Sequence, residues 1–167
     1  MRKVVQHEKP DIVLNIHELL HGNEPIENLK TDSIYNQYQN NIDFISSYAR
    51  YIVIDMPYYH HNFGIAAVLA RKLQLGLPLG NEFVGTWKDY IKQTQYKRKR
   101  ISSLVCTKCI INDVSQGLFQ NGTFLTYDPE TFLARISDNR HLTPVGLELL
   151  RPLYTRILEK LLKELDK

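Results

Sequence analysis

Apolar residues in this chain fall into two kinds of pattern. Some form short solid runs; others recur every three or four positions across longer stretches. The solid runs are residues 11–16, entered from Pro10, residues 51–56, closed by Pro57, and residues 101–106. Each is short, rich in Ile and Val and not cleanly alternating, which predicts strands covered on both faces. A weaker fourth run, residues 123–127, follows the turn-forming pair Asn121-Gly122. The helical pattern covers residues 31–49, with Thr31, Asp32 or Ser33 as the cap and Ile34, Tyr38, Ile42, Ile45 and Tyr48 on one face. It returns over residues 63–75, over a polar stretch at 81–99 that carries Trp87, and from Pro144 to about Leu165. Pro152 lies inside the last stretch and predicts a kink or break near residues 149–151.

Strands alternating with helices predict an α/β fold: a three-layer α/β/α arrangement around a parallel sheet. No repeat, low-complexity stretch or linker divides the chain, so residues 1–167 are expected to form one domain. Ligands of such sheets bind beyond the carboxyl ends of the strands. Those ends hold His17 and Glu18, then Tyr58, Tyr59, His60 and His61, then Cys106 to Cys109.

Composition narrows the function. At 167 residues and 43% hydrophobic, the chain can bury a core without disulfide staples. A net charge of +3 is too small to argue for nucleic acid. The one dense basic run, Lys97-Arg98-Lys99-Arg100, reads as a solvated helix end, with targeting or polyanion binding as the other reading. No segment reaches the roughly 18 apolar residues needed to span a bilayer. The opening "MRKVVQHEKP" carries no apolar stretch of signal-peptide length. The two cysteines, Cys106 and Cys109, are open to three readings: a local disulfide, two free buried thiols, or a redox or metal role. Ile110-Ile111-Asn112-Asp113 is a poor helix start, which weighs against a redox pair.

The stretch with most chemistry is "ISDNRHLTPVGLELL", residues 136–150. An Asp three residues before a His on a short loop can reach the near ring nitrogen and leave the far one free. Those are the acid and base that activate a serine hydroxyl. Thr143 then caps a helix, Pro144 takes its first position and Gly146 permits close packing. The plainer reading is a surface loop whose Asp138 caps a turn. Glu18 also stands three residues before His21, so the spacing alone does not decide; that pair reads as a solvated first turn rather than a metal half-site. His60-His61 are imidazoles that suit zinc or copper, but adjacent side chains in extended backbone diverge. No cofactor or metal is expected. Asn121-Gly122-Thr123 fits the glycosylation acceptor pattern, relevant if the chain enters the secretory pathway.

"SDNRHLTPVGLELLRPLYTRIL" resembles the last block of the SGNH hydrolases, where Asp-x-x-His precedes a Leu, a Thr or Ser, and a Gly. "HEKPDIVLNI" resembles their third-block strand and "YIVIDMP" their next strand. From "SSLVCTKCIINDVSQGLF" through "GTFLTYDPETFLARISDNRHLTPVGLELLRPLY" the chain is closest to the C-terminal SGNH domain of acyltransferase family 3 membrane proteins. The resemblance runs from about Pro10 to Leu161 and is specific over residues 101–155. It implies a flavodoxin-like parallel sheet, His141 as general base and Asp138 as its orienting acid. It implies O-acyl transfer or ester hydrolysis on an acyl ester or carbohydrate-like molecule. It also implies an upstream membrane acyltransferase domain, with this domain facing the lumen or outside. Three family features have no counterpart here: the Gly-Asp-Ser nucleophile block on the first strand, the second-block Gly, and the Gly-x-Asn-Asp motif. Asn15 and Asn23 stand nearest the place of that last Asn. The expectation is therefore the C-terminal portion of a larger domain, its sheet lacking the first strand, and inactive as it stands. The other reading is a non-catalytic binding or accessory module.

Overall fold

The computed structural model describes residues 2–16 and 22–166. The fold is α/β around a parallel sheet, the class that the alternation of strands and helices predicts. The strands are β1 (Ile12–Asn15), β2 (Tyr51–Asp55), β3 (Val84–Thr86), β4 (Cys109–Asn112) and β5 (Thr123–Leu125). The helices are α1 (Arg2–Glu8), α2 (Ser33–Ser46), α3 (Ile65–Gln74), α4 (Trp87–Ser102), α5 (Ser115–Leu118), α6 (Pro144–Glu148) and α7 (Arg151–Leu165). By its contacts the chain divides into two compact units. The first comprises residues 1–57, 94–113 and 159–167; the second comprises 58–93 and 114–158.

The first unit holds the parallel sheet, in the order β1-β2-β4. β2 is central, and Ile52, Val53 and Ile54 are all fully buried, so both its faces are covered. Tyr38, Ile42 and Ile45, one face of α2, pack with Ile52, Ile54, Met56 and Val5. Asp32 is the α2 cap: its carboxylate accepts the Tyr35 N–H at 2.7 Å, answering a donor that the first helical turn leaves unpaired. β1 and β4 are edges among the described residues, and Leu14, Ile16 and Ile111 are exposed there.

The third strand is displaced from its predicted place. Residues 101–102 end α4, and the strand begins at Cys109. Ile101 is buried as part of a helical face with Thr94 and Lys97, so an apolar run read as a strand is the inner stripe of a helix end. The basic run at the same end also departs from expectation. Lys97 and Arg100 are buried, and the Arg98 guanidinium donates twice to the Asp113 carboxylate, at 3.1 and 2.7 Å. Arg100 is 1% exposed. It donates to both Asp32 oxygens, at 3.0 and 2.6 Å, and to the Gly22 carbonyl at 2.7 Å. A charge this deep persists only when its donors are satisfied.

The second unit has its own core of Tyr59, Ile65, Leu69, Phe83, Tyr90, Val114, Leu118, Phe124, Ile136 and Leu150. The fourth predicted strand is here, outside the parallel sheet: β5 pairs antiparallel with β3, which lies where the sequence pattern suggested the start of a helix. α6 and α7 are separate, broken at Leu149-Leu150 just before Pro152, as the proline predicts. Among the described residues no helix is long and apolar enough to cross a membrane.

Candidate functional site

The Asp138–His141 bend is fixed from three sides within the second unit. Ile136 and Leu142 form a single antiparallel bridge across its base. On its C-terminal side Thr143 caps α6: its hydroxyl accepts the Gly146 N–H at 3.2 Å and donates to the Ala134 carbonyl at 2.6 Å. A Cβ at Gly146 would run into the Arg135 carbonyl oxygen, which is why glycine stands there. The third side is α3. That helix starts at Gly64 with no side-chain cap. The Ile65 N–H donates instead to the Asp138 carbonyl at 2.8 Å, and the Ala66 N–H to that of Ser137 at 3.3 Å. The bend thereby supplies acceptors to the helix N-terminus, and the helix holds the bend. The His61 N–H donates to the Asn139 carbonyl at 2.9 Å, adding a further tie.

Within this frame Asp138 does two things at once. Its Oδ1 accepts the backbone N–H groups of Arg140 and His141, both at 2.8 Å. Its Oδ2 lies 2.6 Å from the His141 Nδ1. The His141 N–H, the Arg140 N–H and the His141 ring together hold the Asp138 carboxyl well below the usual carboxylate range. An ionised carboxylate only accepts, so the shared proton sits on Nδ1, and in the neutral form of the ring the lone pair is on Nε2. The His141 side chain is 65% exposed and that of Asp138 49%. No described residue is hydrogen-bonded to the Nε2. The Ser137 hydroxyl donates to the His141 carbonyl at 3.1 Å rather than to the ring. Ser46 and Ser47 are occupied with helix carbonyls. The sequence-predicted acid and base are thus brought together, without a serine on them.

His61 is a supporting residue that the sequence placed at a strand end and weighed as a metal ligand. Its side chain is buried, 8% exposed as a residue, with its Nε2 unpartnered among the described residues. The ring meets Tyr59 edge-on at 4.7 Å and Phe63 at 5.7 Å. Burial, with the neighbouring His60 second, lowers its pKa to about 4, so it stays neutral beneath the bend. The signal for this tie was α3 opening on Gly64 without Ser, Thr, Asp or Asn, a helix start that needs acceptors from elsewhere.

The tips of the parallel strands form a separate polar group in the first unit. The Asn15 Nδ2 donates to the Tyr38 hydroxyl at 2.7 Å, and the Asn112 Nδ2 to the Asp55 Oδ1 at 2.8 Å. Burial raises the Tyr38 pKa to about 12, keeping the phenol protonated. Asn15 is therefore committed to Tyr38, and Asn23 is on the surface. Cys106 and Cys109 are joined by a disulfide, Cα–Cα 5.4 Å, ahead of β4. Asn121 and Gly122 form the two-residue turn between Gln120 and Thr123. His17, Glu18 and His21 lie outside the described residues. Among the described residues no group of three or more His, Cys, Asp and Glu side chains is placed to hold a metal. Comparison with protein-family models, curated proteins and solved structures gave no match to this chain.

Proposed function

We propose that Asp138 and His141 are the acid–base half of an SGNH-type site for O-acyl transfer or ester hydrolysis. In this reading a serine hydroxyl from a Gly-Asp-Ser strand attacks an acyl carbonyl. The His141 Nε2 takes the hydroxyl proton and then returns it to the departing alcohol, while Asp138 fixes the tautomer and offsets the charge on the ring. The observation that carries the reading is the 2.6 Å contact between Asp138 Oδ2 and His141 Nδ1, made by a carboxylate whose other oxygen is held by two backbone donors. The substrate class is an acyl ester or carbohydrate-like molecule, and the partner a membrane acyltransferase domain, with this domain on the lumenal or outer side.

A second reading has its own observation. His141 is largely exposed and no described hydroxyl is bonded to it, as in a non-catalytic accessory or binding module. Turnover of p-nitrophenyl acetate separates the two. The catalytic reading expects no turnover by residues 1–167, turnover by a chain lengthened with a Gly-Asp-Ser strand, and its loss on His141→Ala. No turnover in either chain, or turnover indifferent to His141→Ala, leaves the module.

A further inference from the structure

We propose that Asn121 is an N-glycan acceptor and that the exposed face of Trp87 seats the first sugar. This rests on the extracytoplasmic placement in the preceding reading, and not on its catalytic part.

Asn121 opens the one Asn-x-Ser/Thr triplet in the sequence. The structure puts it where a transferring enzyme can reach it. Asn121 and Gly122 are the two central residues of a tight turn, with φ of 51° and 77°, closed by reciprocal backbone hydrogen bonds between Gln120 and Thr123 at 2.8 and 3.0 Å. Asn121, Gly122 and Thr123 are all exposed. The Asn121 side chain has no hydrogen-bond partner among the described residues, so modification breaks no contact. The Cys106–Cys109 disulfide is an independent mark of an oxidising compartment, the setting in which this modification occurs.

Trp87 stands beside that turn. Thr86 pairs with Thr123 in the β3–β5 register, and the Trp87 N–H donates to the Gly122 carbonyl at 2.8 Å. The indole is held by aromatic neighbours, edge-on against Phe119 at 5.4 Å and tilted on Tyr90 at 5.0 Å, yet 42% of the residue is exposed. A partly exposed tryptophan whose backbone is bonded to the residue after the acceptor asparagine suits the C–H face of a pyranose, because covering it removes apolar area from water. In the transfer, the Asn121 amide nitrogen bonds to the anomeric carbon of a lipid-pyrophosphate-linked oligosaccharide. The anomeric C–O bond to pyrophosphate breaks, the lipid pyrophosphate leaves, and an amide proton passes to a base of the transferring enzyme.

The test is to direct the full chain into the secretory pathway of a eukaryotic cell behind a cleavable signal peptide. The expected product shows one downward mobility shift on peptide:N-glycosidase treatment, with Asn-to-Asp conversion located at position 121 by mass spectrometry. Asn121→Gln abolishes the shift and Thr123→Ser retains it. A secreted, folded chain without the shift overturns the acceptor site. Trp87 is the single tryptophan, so its fluorescence reports on the seat directly. Acrylamide should quench the glycosylated chain less than the enzymatically deglycosylated one; equal quenching overturns the role of Trp87. Neither readout involves ester turnover, so failure here and failure of the catalytic reading are distinguishable.

Discussion

Two aspartates in this chain meet a nitrogen base in nearly the same way and come to opposite ends. Asp32, in the first unit, accepts a backbone N–H from Tyr35 and grips the Arg100 guanidinium with both oxygens. Asp138, in the second, accepts two backbone N–H groups and grips the His141 ring. Each carboxyl is held below its ordinary range by those donors. The difference lies in what the partner has left over. Arg100 is buried and turns its remaining donors onto the carbonyls of Gly22 and Glu24, so it is wholly spent on structure. His141 is exposed, and its Nε2 has no hydrogen-bond partner among the described residues. The same local chemistry makes a lock where every donor is consumed and leaves one ring nitrogen open where the partner is exposed.

Breaking the second pair should have the larger effect, on rate rather than on folding. In a chain supplied with the nucleophile strand, His141→Ala is expected to lower kcat by about 10⁶-fold. Asp138→Asn should lower it by about 10⁴-fold, because the amide stabilises the wrong tautomer. For His141→Ala the urea midpoint should stay near that of the parent.

Breaking the first pair reverses the pattern. Arg100→Ala leaves the largely buried Asp32 carboxylate without its countercharge, and should cost roughly 3 kcal/mol or more in urea unfolding. A loss well under that would mean water replaces the guanidinium easily, and the lock would be no lock.

A smaller effect concerns the floor beneath the bend. His61 is neutral in the fold and its folded pKa, about 4, lies below its ordinary 6.5. The unfolded chain therefore binds the proton first. Its contribution is fully present above pH 6.5 and is lost as pH falls from there towards 4, by about 3 kcal/mol in all. Urea unfolding across that range should show the slope, and His61→Phe should flatten it. Smallest is the cap: Thr143→Ala should destabilise by about 1 kcal/mol, read as a shift in thermal midpoint.

The sequence was legible where one force dominated. β1 and β2 read as strands because each carries an unbroken aliphatic run of three, Ile12-Val13-Leu14 and Ile52-Val53-Ile54, and the α6–α7 break was legible because Pro152 cannot continue the α6 hydrogen bonds. It was illegible where tertiary packing overrode local pattern. Ile101 belongs to an inward helical face, and in the basic run before it Lys97 and Arg100 are buried while Lys99 stays exposed, with Asp32 and Asp113 meeting Arg100 and Arg98 from distant positions. β3, at Val84–Thr86, is too short and too glycine-broken to signal a strand. Of the candidate site, the spacing put the Asp138 carboxylate within reach of the His141 ring without deciding what the pair does, and the contact between them is there. The carbonyls that cap α3 and the buried ring of His61 could not be read, because both depend on segments that meet only in the folded chain.

The most direct measurement is the tautomer of His141, read from its ring ¹⁵N chemical shifts at a pH where the imidazole is neutral. The expected result is a protonated Nδ1 and a Nε2 with a free lone pair, with the Nδ1 proton signal lost on Asp138→Ala. A ring protonated on Nε2, or one that samples both tautomers regardless of Asp138, would contradict the acid–base pair.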